Sequence, residues 1–312
     1  MIAVCRFLLC AAAMVAGLNI WRAEATEPTL AQVPYGSSPE QVLDFWKANG
    51  DVPAPCVFFI HSGAWLSGDR REVGFMGCDE FLAAGISVVS IEFRTVTAAS
   101  QAGVQPPLRW PMEDAARALQ FVRTKAAVWG IDGKRIGAEG RSSGGTTALW
   151  LALHEEMAKP ESMDPVERES TRVQCVGVVD AQTTLDPAQM REWIPNASYG
   201  GHAFGFFREG NPTGDFETFL AARDRIQPWI REYSPAALVS ASAPPVYLHY
   251  GGVPAPAGKG QVDPIHTAVF GLKLKELLTA AKVKVEPQVR YPGVTTADFD
   301  QIEFLIRMLR GR

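Results

Sequence analysis

The chain has 312 residues, enough for one large α/β domain or two modest ones, and 47% of them are hydrophobic. Its 30 basic and 34 acidic side chains leave a formal net charge of -4, which gives no basic footprint for nucleic acid. Five cysteines include no CxxC or Cys/His pair with zinc-site spacing, so the sequence implies neither a metal nor a cofactor.

The first element in chain order is a leader. Arg6 supplies a positive start, and Phe7 to Leu18 is an apolar stretch too short for a stable membrane span. Ala23-Glu24-Ala25 then offers a cleavage site before Thr26. That order predicts a secretory signal peptide over residues 1–25, with residues 26–312 forming one domain that is secreted or periplasmic and unattached to membrane after cleavage. An uncleaved anchor is the alternative; Cys10 follows Leu8-Leu9, a poor context for a lipoprotein site. Beyond the leader only Cys56, Cys78 and Cys175 remain, so at most one disulfide can form. Cys56 and Cys175 lie in apolar runs and read as buried, inert thiols.

Continuous apolar runs at Cys56–Ile60, Ile86–Ile91, Val176–Val179 and Val246–Leu248 predict strands buried on both faces. Val283–Glu286 is read as a further strand. Helical patterns separate them: Met112–Val128, Gly144–Met157 and Thr267–Ala281. This alternation predicts an α/β fold, a mostly parallel central sheet covered by helices on both faces. The stretch from about 183 to 243, rich in Trp, Phe, Pro and Gly, is too long for a plain connection and is read as a cap insertion. Extra structural helices with no contact to substrate are the plainer reading of it.

Gly140-Arg141-Ser142-Ser143-Gly144 follows a strand-like run, Arg135–Glu139, and precedes a helical one. That is the context of a nucleophile elbow, in which the serine sits on a sharp turn between strand and helix. Upstream, His61-Ser62-Gly63-Ala64-Trp65 follows the Cys56–Ile60 strand. Gly63 and Ala64 are small enough to bring their amides close to a substrate oxygen, and the Ser143 amide at the helix start supplies a third oxyanion donor. His61 reads as a structural histidine orienting this loop. Trp65, Arg141 and the cap residue His202 are candidates for substrate contact, although a surface ion pair also accounts for Arg141. Gly252–Gly260 has the wrong spacing for a P-loop, and Asn196-Ala197-Ser198 is a glycosylation sequon only in a eukaryotic secretory host.

These blocks resemble the α/β-hydrolase superfamily, near the hormone-sensitive-lipase-like and feruloyl/acetyl-xylan-type esterases. The two specific blocks are the elbow and His61-Ser62-Gly63-Ala64-Trp65; Asp132–Gly137, Tyr233-Ser234-Pro235 and Pro244–His249 support them. Ser62 stands where that group more usually has glycine. The resemblance implies hydrolysis of a small acyl ester or an acylated polysaccharide through a Ser142 acyl-enzyme. It also implies an acid after the strand at Val246, which Asp263 in Asp263-Pro264-Ile265-His266 matches; Asp263 also suits a helix N-cap.

The base of that family follows the last strand, shortly after a Pro-Gly. Here that segment reads Pro292-Gly293-Val294-Thr295-Thr296-Ala297-Asp298-Phe299, and no histidine occurs after His266. His154 falls in the helix after the elbow and His249 at a strand end. His266, beside the acid, is the leading candidate base and His202 the second. Without a base the fold would be an impaired enzyme or a ligand-binding protein. A structural role for the aromatic cap, with a blocked pocket, is the third reading.

Overall fold

The computed structural model describes residues 26–50, 53–294 and 299–311; the expected leader, residues 1–25, lies outside them. Among the described residues eight strands form one sheet: β1 (Leu30–Pro34), β2 (Val42–Trp46), β3 (Ala54–Ile60), β4 (Ser87–Ile91), β5 (Ile131–Arg141), β6 (Cys175–Val179), β7 (Val246–His249) and β8 (Gln288–Arg290). Their order is β1-β2-β4-β3-β5-β6-β7-β8. β1 and β2 pair antiparallel with their neighbours, and every pair from β4 to β8 is parallel. The parallel strands are apolar because both their faces are covered: all seven residues of β3 and all five of β4 are buried.

Among the described residues nine helices accompany the sheet: α1 (Cys78–Ala83), α2 (Val96–Gln101), α3 (Arg109–Trp129), α4 (Ser143–Leu153), α5 (Pro187–Trp193), α6 (Phe216–Ala221), α7 (Gln227–Tyr233), α8 (Val269–Ala280) and α9 (Gln301–Arg310). Alternation along each strand sorts the two cores. Phe58, Ile60, Ala138 and Val178 face α3, α4 and α8, while Val57, Phe59 and Cys175 face Phe81 of α1 and Phe304, Leu305 and Leu309 of α9. Each fully buried Val, Leu, Ile or Phe among them contributes about 1.5–3 kcal/mol. Among the described residues Cys56, Cys78 and Cys175 are free and buried, and burial pushes the Cys78 and Cys175 thiols up to about 12.

The structure departs from the sequence reading at one strand. Residues 283–286 are irregular, and the chain pairs with β7 only from Gln288, two residues further on, through Tyr247↔Gln288 to His249↔Arg290. A strand over Val283–Glu286 would have placed Lys284 and Glu286 in a covered sheet; instead both are exposed in the loop after α8. The helix after the elbow also ends earlier than expected, at Leu153, with His154 as its C-cap. Between β6 and β7, residues 183–243 form α5, α6, α7 and short 3₁₀ turns.

Candidate active site

β5 delivers Ser142 to the first turn of α4. Ser142 has φ 51° and ψ -123°, a conformation that non-glycine residues rarely hold and that costs about 1–3 kcal/mol. The turn is over-determined by its surroundings. The Ser142 amide donates to Val179 O at 2.9 Å, and Ser142 O accepts from the Thr146 amide at 2.9 Å. The flanking glycines are steric necessities: a Cβ on Gly144 would collide with the carbonyl oxygens of Ile60 and His61, and one on Gly140 would lie 2.5 Å from the Gly144 carbonyl carbon. Ser142 thus stands at the positive end of α4, whose residues 143–153 are all buried.

His266 Nε2 lies 3.0 Å from Ser142 Oγ. On the other side of the ring, Nδ1 donates to Asp263 Oδ2 at 2.9 Å. Asp263 Oδ1 accepts from the amides of Ile265 and His266, at 2.9 and 3.1 Å. The aspartate therefore caps the turn that carries its own imidazole partner. It is not the N-cap of α8, which begins at Val269. Burial opposes the charge on Asp263, but the hydrogen bonds from His266 and the Ile265 amide outweigh it and hold the carboxyl below its usual range. The loop is tied to α4 through Gln182, which donates to Ile265 O at 2.9 Å while its own carbonyl accepts from Thr146 Oγ1 at 2.9 Å. On the cap side, Asn196 Nδ2 donates to Gln261 O at 2.9 Å.

The loop after β3 turns through three consecutive positive φ angles, 104° at Gly63, 55° at Ala64 and 57° at Trp65. His61 braces it from below, with Nδ1 2.7 Å from Ser62 O, Nε2 3.1 Å from Glu92 Oε2 and its ring stacked on Phe93. Ser62 donates from both its amide and its hydroxyl to Glu72 Oε2, at 3.1 and 2.8 Å. Ser143 at the head of α4 is fully buried, and its hydroxyl has no partner.

Two expected substrate contacts fall elsewhere. Trp65 is fully buried, and its indole donates to Thr147 Oγ1 of α4 at 2.9 Å, so it is a strut between the loop after β3 and α4. His202 is also fully buried, with Nδ1 2.9 Å from Thr213 O and Nε2 2.9 Å from Ala64 O, and it does not approach Ser142 as a base. Neither ring offers surface to a ligand. Arg141 keeps an exposed side chain 3.6 Å from Asp180 Oδ2. His154 pairs with Glu232 at 3.1 Å, and His249 ends β7. Among the described residues no group of three or more His, Cys, Asp or Glu side chains is gathered to hold a metal ion. No described helix is long and apolar enough to cross a membrane.

Comparison with known proteins follows the same lines. Esterase LipC of Mycobacterium tuberculosis is 32% identical over 126 residues, 39% of this chain and 29% of that protein. The probable carboxylic ester hydrolase LipM of the same organism is 27% identical over 259 residues, 79% of this chain and 53% of that protein. The chain thus spans about half or less of the length of these curated relatives. Among solved structures, a truncated carbohydrate esterase from gut microbiota superposes with a TM-score of 0.68 at 17% identity, covering 93% of this chain and 99% of that one. The propionate-bound esterase 2 of Thermogutta terrifontis gives 0.58 at 18% identity, covering 89% of each chain. Both share the α/β-hydrolase fold. Residues 43–253, from β2 to just beyond β7, match BD-FAE, and the chain belongs to that α/β-hydrolase family.

Proposed function

We propose that this protein hydrolyses carboxylic esters through an acyl-enzyme on Ser142. The observation that carries the reading is the unbroken line of contacts from Ser142 Oγ to His266 Nε2, at 3.0 Å, and from His266 Nδ1 to Asp263 Oδ2, at 2.9 Å. Ser142 attacks the acyl carbon as its hydroxyl proton passes to Nε2, and Asp263 stabilises the imidazolium that forms. The oxyanion accepts from the amides of Ser143, Gly63 and Ala64. The imidazolium then returns its proton to the leaving alcohol. A water, deprotonated by the same nitrogen, attacks the acyl-enzyme and releases the carboxylic acid and free Ser142.

The substrate class proposed is a small acyl ester carried on a carbohydrate. The family match and the fold shared with a carbohydrate esterase support it. A leader over residues 1–25 would bring the enzyme to such polymers outside the cytoplasm.

The test is hydrolysis of p-nitrophenyl acetate, and acetate release from acetylated xylan, by wild type beside Ser142→Ala and His266→Ala. Each variant is expected to lose about 10⁴–10⁶-fold in kcat, because nucleophile and base act as one unit. Equal activity in wild type and Ser142→Ala refutes the reading and leaves a ligand-binding protein on this fold. Activity on the small ester without acetate release from xylan refutes only the carbohydrate substrate.

A further inference from the structure

The cap reaches the oxyanion loop at one polar point. His202 lies in the 3₁₀ turn Gly201–Phe204, 138 residues from Ala64, and is fully buried between Trp65, at 6.0 Å between ring centroids, and Tyr199, at 5.2 Å. Its Nε2 meets the Ala64 carbonyl at 2.9 Å. The carbonyls on either side of Ala64 are served by main-chain donors: Gly63 O accepts from the amides of Leu66 and Ser67 at 2.9 and 3.2 Å, and Trp65 O from the Val96 amide at 2.9 Å.

Those contacts fix two successive peptide planes. The Gly63 carbonyl and the Ala64 amide share one plane, which Leu66 and Ser67 hold. The Ala64 carbonyl belongs to the next plane, which His202 holds. With both planes anchored, Ala64 has no freedom to leave φ 55°, a left-handed conformation that disfavours alanine. Release of the second plane lets Ala64 relax towards negative φ, which strains the turn whose Leu66 and Ser67 amides hold the first plane, and the Ala64 amide shifts as that turn loosens.

The ring's protonation is consistent with this role. Both nitrogens face carbonyl oxygens, and a neutral imidazole donates to only one. Thr213 O also accepts the His202 main-chain amide at 3.2 Å, so a proton on Nε2 gives each of the two carbonyls a donor from His202. Burial favours the neutral ring over the imidazolium.

We infer that His202 is a positioning residue, the cap's grip on the oxyanion loop, which keeps Ala64 in the conformation that presents the Gly63 and Ala64 amides to the reacting carbonyl. This rests on the ester hydrolysis proposed above.

The experiment uses the full chain as wild type, His202→Phe and His202→Gln. Phe keeps the ring and removes the donor; Gln restores a terminal N–H at similar reach. Two readouts are taken: kcat and KM for p-nitrophenyl acetate, and deuterium uptake of the peptide spanning residues 62–68. Loss of one whole oxyanion donor costs about 10²–10³ in kcat, so a misplaced donor is expected to cost about 10–100-fold in His202→Phe. KM should stay within about twofold, uptake at Leu66 and Ser67 should rise, and His202→Gln should recover both. If His202→Phe fails to fold, His202→Met replaces it as a flexible apolar side chain without a donor.

Wild-type kcat and uptake in the donor-free variant overturn the inference. A raised KM with unchanged kcat also overturns it, since that marks direct substrate contact. If wild type itself does not hydrolyse the ester, the enzymatic reading fails, and the uptake measurement alone still decides whether His202 holds the loop.

Discussion

Asp263→Asn isolates the acid from its structural duty. Asp263 Oδ1 accepts from the Ile265 and His266 amides, while Oδ2 accepts from His266 Nδ1. Asparagine keeps the first oxygen and with it the turn. At the second position it places an NH₂ against Nδ1, so the ring accepts there and carries its proton on Nε2, facing Ser142. That tautomer has no lone pair for the serine proton. For a buried aspartate such a change costs about 10⁴ in kcat. Here the Asp263 side chain is 56% exposed and that of His266 36%, so water competes for Nδ1 and screens the lost charge. The expected loss is therefore about one decade smaller, about 10³-fold, or about 4 kcal/mol of transition-state stabilisation. Steady-state p-nitrophenyl acetate kinetics measure it, with a thermal melt alongside. Tm should move by less than about 2 °C, because the turn is kept. A variant that retains more than about a tenth of wild-type kcat refutes the assigned acid, and a large fall in Tm refutes the separation of its two roles.

Three further outcomes test the surroundings of the site. Gly144→Ala drives a methyl group into the carbonyls of Ile60 and His61, which are main chain and cannot step aside; a loss of about 3 kcal/mol or more, seen as a Tm lower by about 6 °C or more, is expected, and an unchanged Tm contradicts the steric argument. Gln182→Leu removes the donor to Ile265 O and leaves that carbonyl unpaired, at about 1–3 kcal/mol, and frees the acid–base loop from α4; kcat should fall at least about tenfold, and full activity would show that the loop is held elsewhere. Burial pushes the Glu139 carboxyl well above its ordinary 4.5, so the fold keeps a proton that the unfolded chain releases, and stability falls as pH rises above that value. Glu139→Gln, which keeps a partner for Gln301, should gain Tm relative to wild type between pH 5 and pH 8; an equal offset at both ends refutes the assignment.

What the sequence displays most openly is steric and hydrophobic necessity. Gly140 and Gly144 are legible because no other residue fits their places, and β3, β4 and β6 because strands covered on both faces leave continuous apolar runs. β1 and β2 are less visible: β1 is a largely exposed edge, and its Leu-Ala-Gln-Val-Pro has no consistent alternation. α9 carries readable signals of a different kind, a cap and a stripe. Asp300 caps the Glu303 amide, Phe304, Leu305 and Leu309 share one buried stripe, and Gly311 ends the helix at φ 70°. Trp65 and His202 are a different matter. An aromatic residue after the oxyanion loop and a histidine in a glycine-rich cap suggest surfaces for a ligand. Their burial depends on partners 82 and 138 residues away, which no local pattern encodes.

The sequence has no histidine after His266, and the loop after β7 brings His266 itself to Ser142. In an arrangement with acid and base on separate loops, two independent backbones must agree on one hydrogen bond. Here Asp263 and His266 lie three residues apart, and Asp263 closes the turn between them with two further hydrogen bonds. The Nδ1–Oδ2 distance is thus fixed locally, almost independently of the rest of the fold. The one long-range coordinate left to control is the 3.0 Å from Nε2 to Ser142 Oγ. Gln182 spans that gap, since it bonds the acid–base loop on one side and Thr146, one turn beyond Ser142, on the other. A short motif that sets its own Asp–His geometry needs only to be tethered as a unit, and Gln182, in the loop after β6, does so on one side while Asn196 holds Gln261 on the other.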